Sequence, residues 1–394
     1  MSKEVSSKGM GLMEQLLLPY LELKDLLFKI SKGQLAPLAA QIDEEGEIPS
    51  SVISTLAEQG ILGIFTPEEF GGAGMDYVAY ALAVDILSQT CASTGVLLSA
   101  HCSLGTWPIL SYGTLEQKNK YLPLLASGKA IGCFCLSEPN AGSDPASLET
   151  YAVDKGSYYE IQGTKNFITN GKEASLAIVF AKTDRALSGS KGISCFIVDA
   201  RDPAFKRLKY EDKLGIRGSS TAQIALDKIQ VPKENLLGNL GDGLKIALST
   251  LDGGRLGIAA QALGIAKGAY EYALKYSLQR KQFGNSISSF QAIQFMLADM
   301  STAIKAGELL ILEGSFKKNA KQKHTLESAQ AKLFCSEAAM KITTQAIQIL
   351  GGAGYTREYP VERFFRDAKI TEIYEGTSEI QRLVIAANEL KKYS

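Results

Sequence analysis

The residues of this 394-residue chain best equipped for chemistry lie in five polar, glycine-rich breaks rather than in any short catalytic signature. Near the C-terminus, RDAKITEIYEGTSEIQR (residues 366–382) sets Glu375 between Tyr374 and Gly376, just ahead of a helix start. Just outside a helix N-terminus a carboxylate, a carbonyl or a phosphate can be held by orphan backbone N–H groups and the helix dipole, and Glu375 can equally be an ordinary loop carboxylate. Ser378 with Gln381 reads as a capping box, and Ile380, Leu383, Val384 and Ala387 mark one face of the helix that follows. Arg366, Asp367 and Lys369 read as surface ion pairs.

Four further breaks could hold a ligand. In CFCLSEPNAGSDPAS (133–147) a strand ends at Leu136 and a loop from Ser137 to Ser143 follows. Its N–H groups and hydroxyls suit a phosphate or the polar edge of a ring, and they equally suit a surface turn. In GTKNFITNG, Phe167 is either a core residue or a wall against a flat cofactor. In STLDGGRLG, Asp252, Gly253, Gly254 and Arg255 interrupt a helix. Each interior glycine there costs about 0.5–1 kcal/mol relative to alanine, so the pair implies that another body approaches the backbone. LQRKQFG with FQAIQF supplies Arg280, Phe283 and Gln291. Arg280 serves either as a helix C-terminal charge or as a phosphate clamp.

Several chemistries are disfavoured. No G-x-G-x-x-G follows a strand, and neither a P-loop nor H-E-x-x-H occurs. Lys and Arg balance Asp and Glu at 42 each, so no net field recruits nucleic acid or a membrane surface. The six cysteines have no zinc-type spacing, and Cys133 and Cys135 share a strand face as core residues; the two histidines lie far apart. No metal site is expected. The N-terminal segment carries early acidic residues and resembles neither a signal nor a transit peptide, and no run reaches the roughly 18 apolar residues of a membrane span. A reducing compartment follows: cytoplasmic for a bacterial chain, the mitochondrial matrix for a processed eukaryotic one.

The elements that must position these residues fall into three stretches. Helical periodicity runs to about residue 125, short β-type runs fill 130–235, and long helical periods return to the end. The expected division is a helical domain over 1–128, a β domain over 129–236 with connections too short for parallel βαβ units, and a helical bundle over 237–394.

Taken together, SEPNAGSD, GTKNFITNG, LGIRGSST, RKQFG, QILGGAGY and RDAKITEIYEGTSEIQR, in this order and from about residue 25 to the end, resemble the acyl-CoA dehydrogenase family, its short-chain members most. The resemblance implies a multidomain α+β fold: a helical domain, a β-barrel and a four-helix bundle, with FAD between the last two. It implies that Phe134, Leu136, Ser137, Gly142, Ser143, Phe167, Ile168 and Thr169 line the flavin. Phe167 stands where many members carry Trp. Arg280, Phe283, Gln291, Gln348, Ile349, Gly351 and Gly352 would reach the FAD of a neighbouring subunit, and Thr377, Ser378 and Glu379 the cofactor after the base. Ser143, Asp252, Gly253, Gly254, Arg255 and Gly376 would meet acyl-CoA.

The implied reaction is FAD-dependent α,β-dehydrogenation of a short- to medium-chain acyl-CoA to the trans-2-enoyl-CoA, with Glu375 as the α-proton base and the β-hydride passing to flavin N5. Relatives that carry the base at the Gly254 position lack an acid at the Glu375 position, the reverse of this chain. Gly376 would leave space for the thioester. The family further implies a homotetramer that passes electrons to electron-transferring flavoprotein. An acyl-CoA oxidase, a branched-chain dehydrogenase and a non-catalytic CoA-binding homologue are the alternatives. The stretch from Thr94 to Thr114 contains no Arg or Lys, which disfavours a dicarboxylic acyl tail, and Trp107 either shortens the acyl cavity or packs in the core.

Overall fold

The computed structural model describes residues 16–184, 187 and 189–393. Residues 1–15, on which the leader reading partly rests, lie outside the described residues. The first part is helical: α1 (Leu21–Ile30), α2 (Ala36–Glu45), α3 (Ser50–Glu58), α4 (Tyr77–Ser88), α5 (Ala92–Ser99), α6 (Trp107–Tyr112) and α7 (Leu115–Ala126). Asp76 caps α4 by accepting from the N–H groups of Val78 and Ala79, and Thr114 with Gln117 closes a capping box on α7. Every residue of α4 except Leu82, and every residue of α5, is buried. Helices apolar all round belong inside a larger core.

The middle part is one sheet of β1 (Gly132–Cys135), β2 (Tyr151–Asp154), β3 (Tyr158–Thr169), β4 (Leu176–Lys182), β5 (Ile193–Asp199), β6 (Phe205–Tyr210), β7 (Thr221–Pro232) and β8 (Leu236–Leu237). Its order is β6-β7-β3-β2-β4-β5-β8, with β1 added to β4. The expected barrel is corrected here, because the path is open: β6 and β8 end it and do not pair with each other. Short β8 leads almost at once into the next helix, so that edge is turned over to helical packing rather than to closure. β1 pairs with β4 in parallel, a geometry that the alternating strand pattern did not announce.

The last part comprises α8 (Gly243–Gln279), α9 (Gln291–Asn319), α10 (Thr325–Leu350), α11 (Val361–Thr371) and α12 (Ser378–Leu390). Asp252–Arg255 do not interrupt a helix, as expected from their glycines; α8 runs through them for 37 residues. Its glycines serve close packing instead. A Cβ at Gly264 would stand 2.3 Å from the Asp85 carbonyl oxygen, so α4 can cross α8 only where side chains are missing.

Three buried clusters hold the fold. One, with Tyr80, Leu98, Leu256, Ala331 and Phe364, is continuous from the N-terminal helices into the C-terminal bundle. A second fills one face of the sheet, and a third lies between the other face, α7 and the start of α8.

A polar joint ties all three parts. Arg366 on α11 pairs with Asp43 of α2 at 2.6 Å and with Glu362 at 2.7 Å, and donates to the Leu214 carbonyl at 3.1 Å. Beside it Asp367, read as a surface charge, is instead buried and accepts from the Ile216 N–H. Its carboxyl is pushed up to about 7 by burial. Gly215 fits only because it lacks a side chain; a Cβ there would lie 2.3 Å from the Arg366 backbone. Truncating Arg366 strands two carboxylates, so Arg366→Ala is expected to lower unfolding stability by about 3 kcal/mol. Denaturant midpoints check this, and Arg366→Lys should recover only part, because a single ammonium does not reproduce the guanidinium fork.

Candidate active site

Glu375 sits in the turn between α11 and α12 with φ +52°, and Gly376 follows with φ +93°. A non-glycine residue in the left-handed region costs about 1–2 kcal/mol unless its surroundings fix it. Those surroundings are specific. The buried Gln381 donates through Nε2 to the Gly376 carbonyl at 2.9 Å and to the Glu375 carbonyl at 3.3 Å. Lys332 of α10, fully buried, donates from Nζ to the Gly376 carbonyl at 2.7 Å. Tyr374 donates to Gln261 of α8, whose amide in turn donates to the Ala92 carbonyl at 3.0 Å.

One sequence expectation changes at this turn. Thr377 caps α12, accepting from the Ile380 N–H, so the cap lies one residue before Ser378 and Gln381 is turned inward to the Glu375 backbone. The φ of Gly376 favours glycine, and a Cβ there would also press on Gln381 Nε2 at 2.7 Å.

The Glu375 carboxyl points at α8. A Cβ on Gly254 would lie 2.0 Å from its Oε2, so the glycine is the space that the carboxyl occupies. That oxygen is shut from water and has no hydrogen-bond partner among the described residues. Burial pushes the carboxyl up to about 7, while Arg255 and Lys332 pull it back down. The next residue, Arg255, is buried and paired with Asp252 at 2.6 Å, and Asp252 also accepts from Thr325 at 2.7 Å. This is an apolar-walled carboxylate with two nearby cations, fit to take a proton near neutral pH.

Beyond Gly253 the wall is aromatic. Tyr77 and Tyr80 pack edge to face, and Lys318 of α9 lies 4.2 Å above both the Tyr77 and Trp107 rings. A Cβ at Gly253 would meet Lys318 Nζ at 2.8 Å and the Tyr77 hydroxyl at 3.0 Å. Burial pulls Lys318 down to about 7 against the field of Asp252. A cation, absent from Thr94–Thr114 itself, is thus brought to Trp107 from another helix.

On the sheet, Lys165 is fully buried and bonds Glu138 Oε1 at 2.7 Å and the Leu136 carbonyl at 3.2 Å. Glu138 also accepts from the Glu149 and Thr150 N–H groups at 2.6 and 3.0 Å. Burial alone would raise the Glu138 carboxyl, but Lys165 and these donors hold it below the usual carboxylate range. The pair anchors the loop 137–143, which folds on itself through mutual Glu138–Ala141 backbone bonds. The β3–β7 register shifts between Lys165 and Ile168, and at that bulge Phe167 takes φ +56° and is 64% exposed.

The residues expected around a flavin divide by exposure. Phe167, Gly142, Ser143, Arg280, Phe283, Gln291, Gln348, Gly351, Gly352 and Glu379 are exposed; Ser137, Thr169 and Thr377 are half-buried. Leu136, Ile168, Ile349 and Ser378 are buried, so they can offer mainly backbone, and the Phe134 ring is packed edge-on against Phe180 at 4.8 Å. Open space surrounds Gly142, Gly351 and Gly352, where a Cβ would meet nothing within 4 Å. An exposed ring raised on a bulge, open glycine loops, hydroxyls and a free-standing guanidinium fit a flat heterocycle with a diphosphate tail. No hydrogen bond among the described residues joins Arg280, Gln291 or Gln348 to the Phe167 face.

Lys332, Lys318 and Tyr77 were not singled out in the sequence, and Gln381 was read only as part of a helix cap. Lys332 had a readable signal: it interrupts the buried face Ser328, Ala331, Cys335 and Ala339 of α10 at helical spacing. No group of His, Cys, Asp or Glu that could hold a metal ion occurs among the described residues, and no helix there is long and apolar enough to cross a membrane.

Family models agree with this architecture: acyl-CoA dehydrogenase N-terminal domain over 21–129, middle domain over 133–229 and C-terminal domain over 241–390. The chain is 48% identical to the short-chain-specific acyl-CoA dehydrogenase of Clostridium acetobutylicum, covering 92% of this chain and 96% of that one. The solved butyryl-CoA dehydrogenase of Megasphaera elsdenii superposes with TM-score 0.92 at 43% identity, covering 94% and 97% of the two chains. A chain of the structure named for the electron transferring flavoprotein of Acidaminococcus fermentans gives TM-score 0.92 at 47% identity, covering 97% and 99%. On this evidence the chain belongs to the acyl-CoA dehydrogenase family, whose members depend on FAD.

Proposed function

We propose that this protein dehydrogenates a short-chain acyl-CoA to the trans-2-enoyl-CoA, with Glu375 as the base that removes the α-proton. The observation that carries the reading is the partnerless, buried Oε2 of Glu375 facing the gap left by Gly254. A carboxylate with no internal partner is free to receive a proton from a substrate. The cramped aromatic wall of Tyr77, Tyr80 and Trp107 beside Gly253 supports a short acyl chain, as do the short-chain relatives.

The α-proton passes to Glu375, and desolvation brings its carboxyl close enough to neutrality to be both ionised and basic. The Glu375 N–H would stabilise the developing enolate, its turn held by the bonds to the Glu375 and Gly376 carbonyls. Arg255 and Asp252 bind and orient the thioester limb. Phe167, Ser143, Thr169 and the loop 137–143 would hold FAD, with Arg280, Gln291, Gln348 and Gly352 of a neighbouring copy. FAD, when bound, supplies the acceptor for the β-hydride and stores both electrons.

The exposed Phe283 (91%) and Tyr355 (86%) support assembly with further copies, a homotetramer in this reading. The Acidaminococcus relative supports electron-transferring flavoprotein as the electron acceptor.

Two measurements test the base. Glu375→Gln should keep FAD and ligand binding yet lower flavin reduction by butyryl-CoA roughly 1,000-fold or more. Near-native reduction in an anaerobic titration would refute the assignment. Because a raised carboxyl must lose its proton to act, kcat/KM should climb as pH rises through about 7 and fall tenfold per pH unit below it. A flat profile down to pH 5 would contradict it.

A further inference from the structure

Four cavities and clusters have no role in the steps proposed above: the apolar pocket between α1, α4, α8 and α9 over Asp85 and Lys267, the groove between α9 and α10, the Lys318 cluster, and the buried ammonium of Lys332. The first is closed by its own ion pairs, the second offers no buried polar group without a partner except Gln345, and the third belongs to the substrate wall. Lys332 stands apart, since a lysine buried at the centre of a bundle requires a reason.

The geometry points to Lys332 as a positioning residue: we infer that its ammonium locks the left-handed Glu375–Gly376 turn through the Gly376 carbonyl and, by its charge, keeps the Glu375 carboxyl ionised for proton abstraction. The inference rests on Glu375 being the base. Three observations support it. The bond is short, 2.7 Å, and its acceptor is the carbonyl of Gly376, the residue immediately after Glu375, so the lock acts on the backbone that aims the carboxyl. Gln381 donates to that same carbonyl and to the one before it, yet is uncharged, so it duplicates the anchoring but not the field. No carboxylate lies within ion-pair distance of Lys332 among the described residues, so the structure has not neutralised the charge it buried.

The charged groups that face Lys332 come from each element around it: Arg255 on α8, Glu372 at the end of α11, Glu375 in the turn and Glu379 on α12. Burial pulls the ammonium down to about 8, and Glu375 offsets part of that fall. The ordering leaves a window near neutrality in which Lys332 is charged while Glu375 is free of its proton. Gln381 and Lys332 thus divide two tasks at one carbonyl, direction and charge.

The test compares Lys332→Met, Lys332→Gln and Lys332→Arg with Gln381→Met in the FAD-loaded protein, after melting curves and flavin content confirm folding. Loss of the charge should move the acid limb of kcat/KM upward by about one pH unit in both neutral variants, with kcat reduced at least tenfold, while Lys332→Arg keeps most of the native limb. Gln381→Met should lower kcat with the limb in place. Isotope-edited infrared titration of the Glu375 carboxyl, with Glu375→Gln as blank, reads the same shift without turnover. An unmoved carboxyl titration in Lys332→Met and Lys332→Gln, or an equal shift in Lys332→Arg, overturns the inference. Failure of the base assignment itself is distinguishable, since there Glu375→Gln would remain active whatever Lys332 does.

Discussion

The approach of the Glu375 carboxyl to the Gly253–Gly254 turn of α8 is the contact on which the other arrangements depend. A carboxyl can come this close to a helix backbone only where no side chain intervenes, and it can point there only from a left-handed residue. Both conditions run against local preference. Glycine weakens a helix, and a non-glycine residue avoids positive φ. The long burial of α8 against α4, α9 and α10 supports the first exception, and the bonds from Lys332, Gln381 and Tyr374 support the second. The site is therefore a place where tertiary structure overrides propensity on two chains of residues at once.

The same logic recurs on the sheet, with the signs arranged differently. Lys165 and Glu138 form a nearly solvent-free ion pair saturated by backbone donors, so its charges are spent on fixing a loop. Around Glu375 the cations stay short of an ion pair, and the carboxyl oxygen keeps an unfilled coordination position. A saturated pair makes a rigid wall; an unsaturated one makes a reactive group. The fold uses one on the sheet and the other where the α11–α12 turn meets α8.

Much of this was legible in the sequence, for reasons that can be stated residue by residue. The order of helical, β and helical stretches follows from hydrophobic period; Gly254 stood out because it breaks a helical pattern, whereas Glu375 looked like a loop carboxylate until the family resemblance picked it out. The open sheet was not legible, since strand patterns fix which residues alternate but not whether the two end strands meet. The continuity of α8 through Asp252–Arg255 was missed because glycine reads as a break when the groups that fill its space lie far off in sequence, as Tyr77 does from Gly253 and Glu375 from Gly254. Asp367 was mistaken for a surface charge because its partner, the Ile216 N–H, is a backbone group that no side-chain pattern reveals. Lys332 was passed over because lysine in a helix is usually solvated, and only its register among Ala331, Cys335 and Ala339 betrays burial.

The continuous core shared by the N-terminal helices and the C-terminal bundle has a consequence for how the chain is made. Helices α4 and α5, apolar on nearly every side, emerge from the ribosome long before α8, the surface that covers them; the Asp85–Lys267 pair alone spans 182 residues. The sheet is synthesised in between as an insertion within one helical body. The first third of the molecule must therefore wait, with its greasiest helices uncovered, until translation is more than halfway done. Such a nascent chain is a natural client for chaperones, and its vulnerability is set by the speed of elongation rather than by the stability of the finished fold.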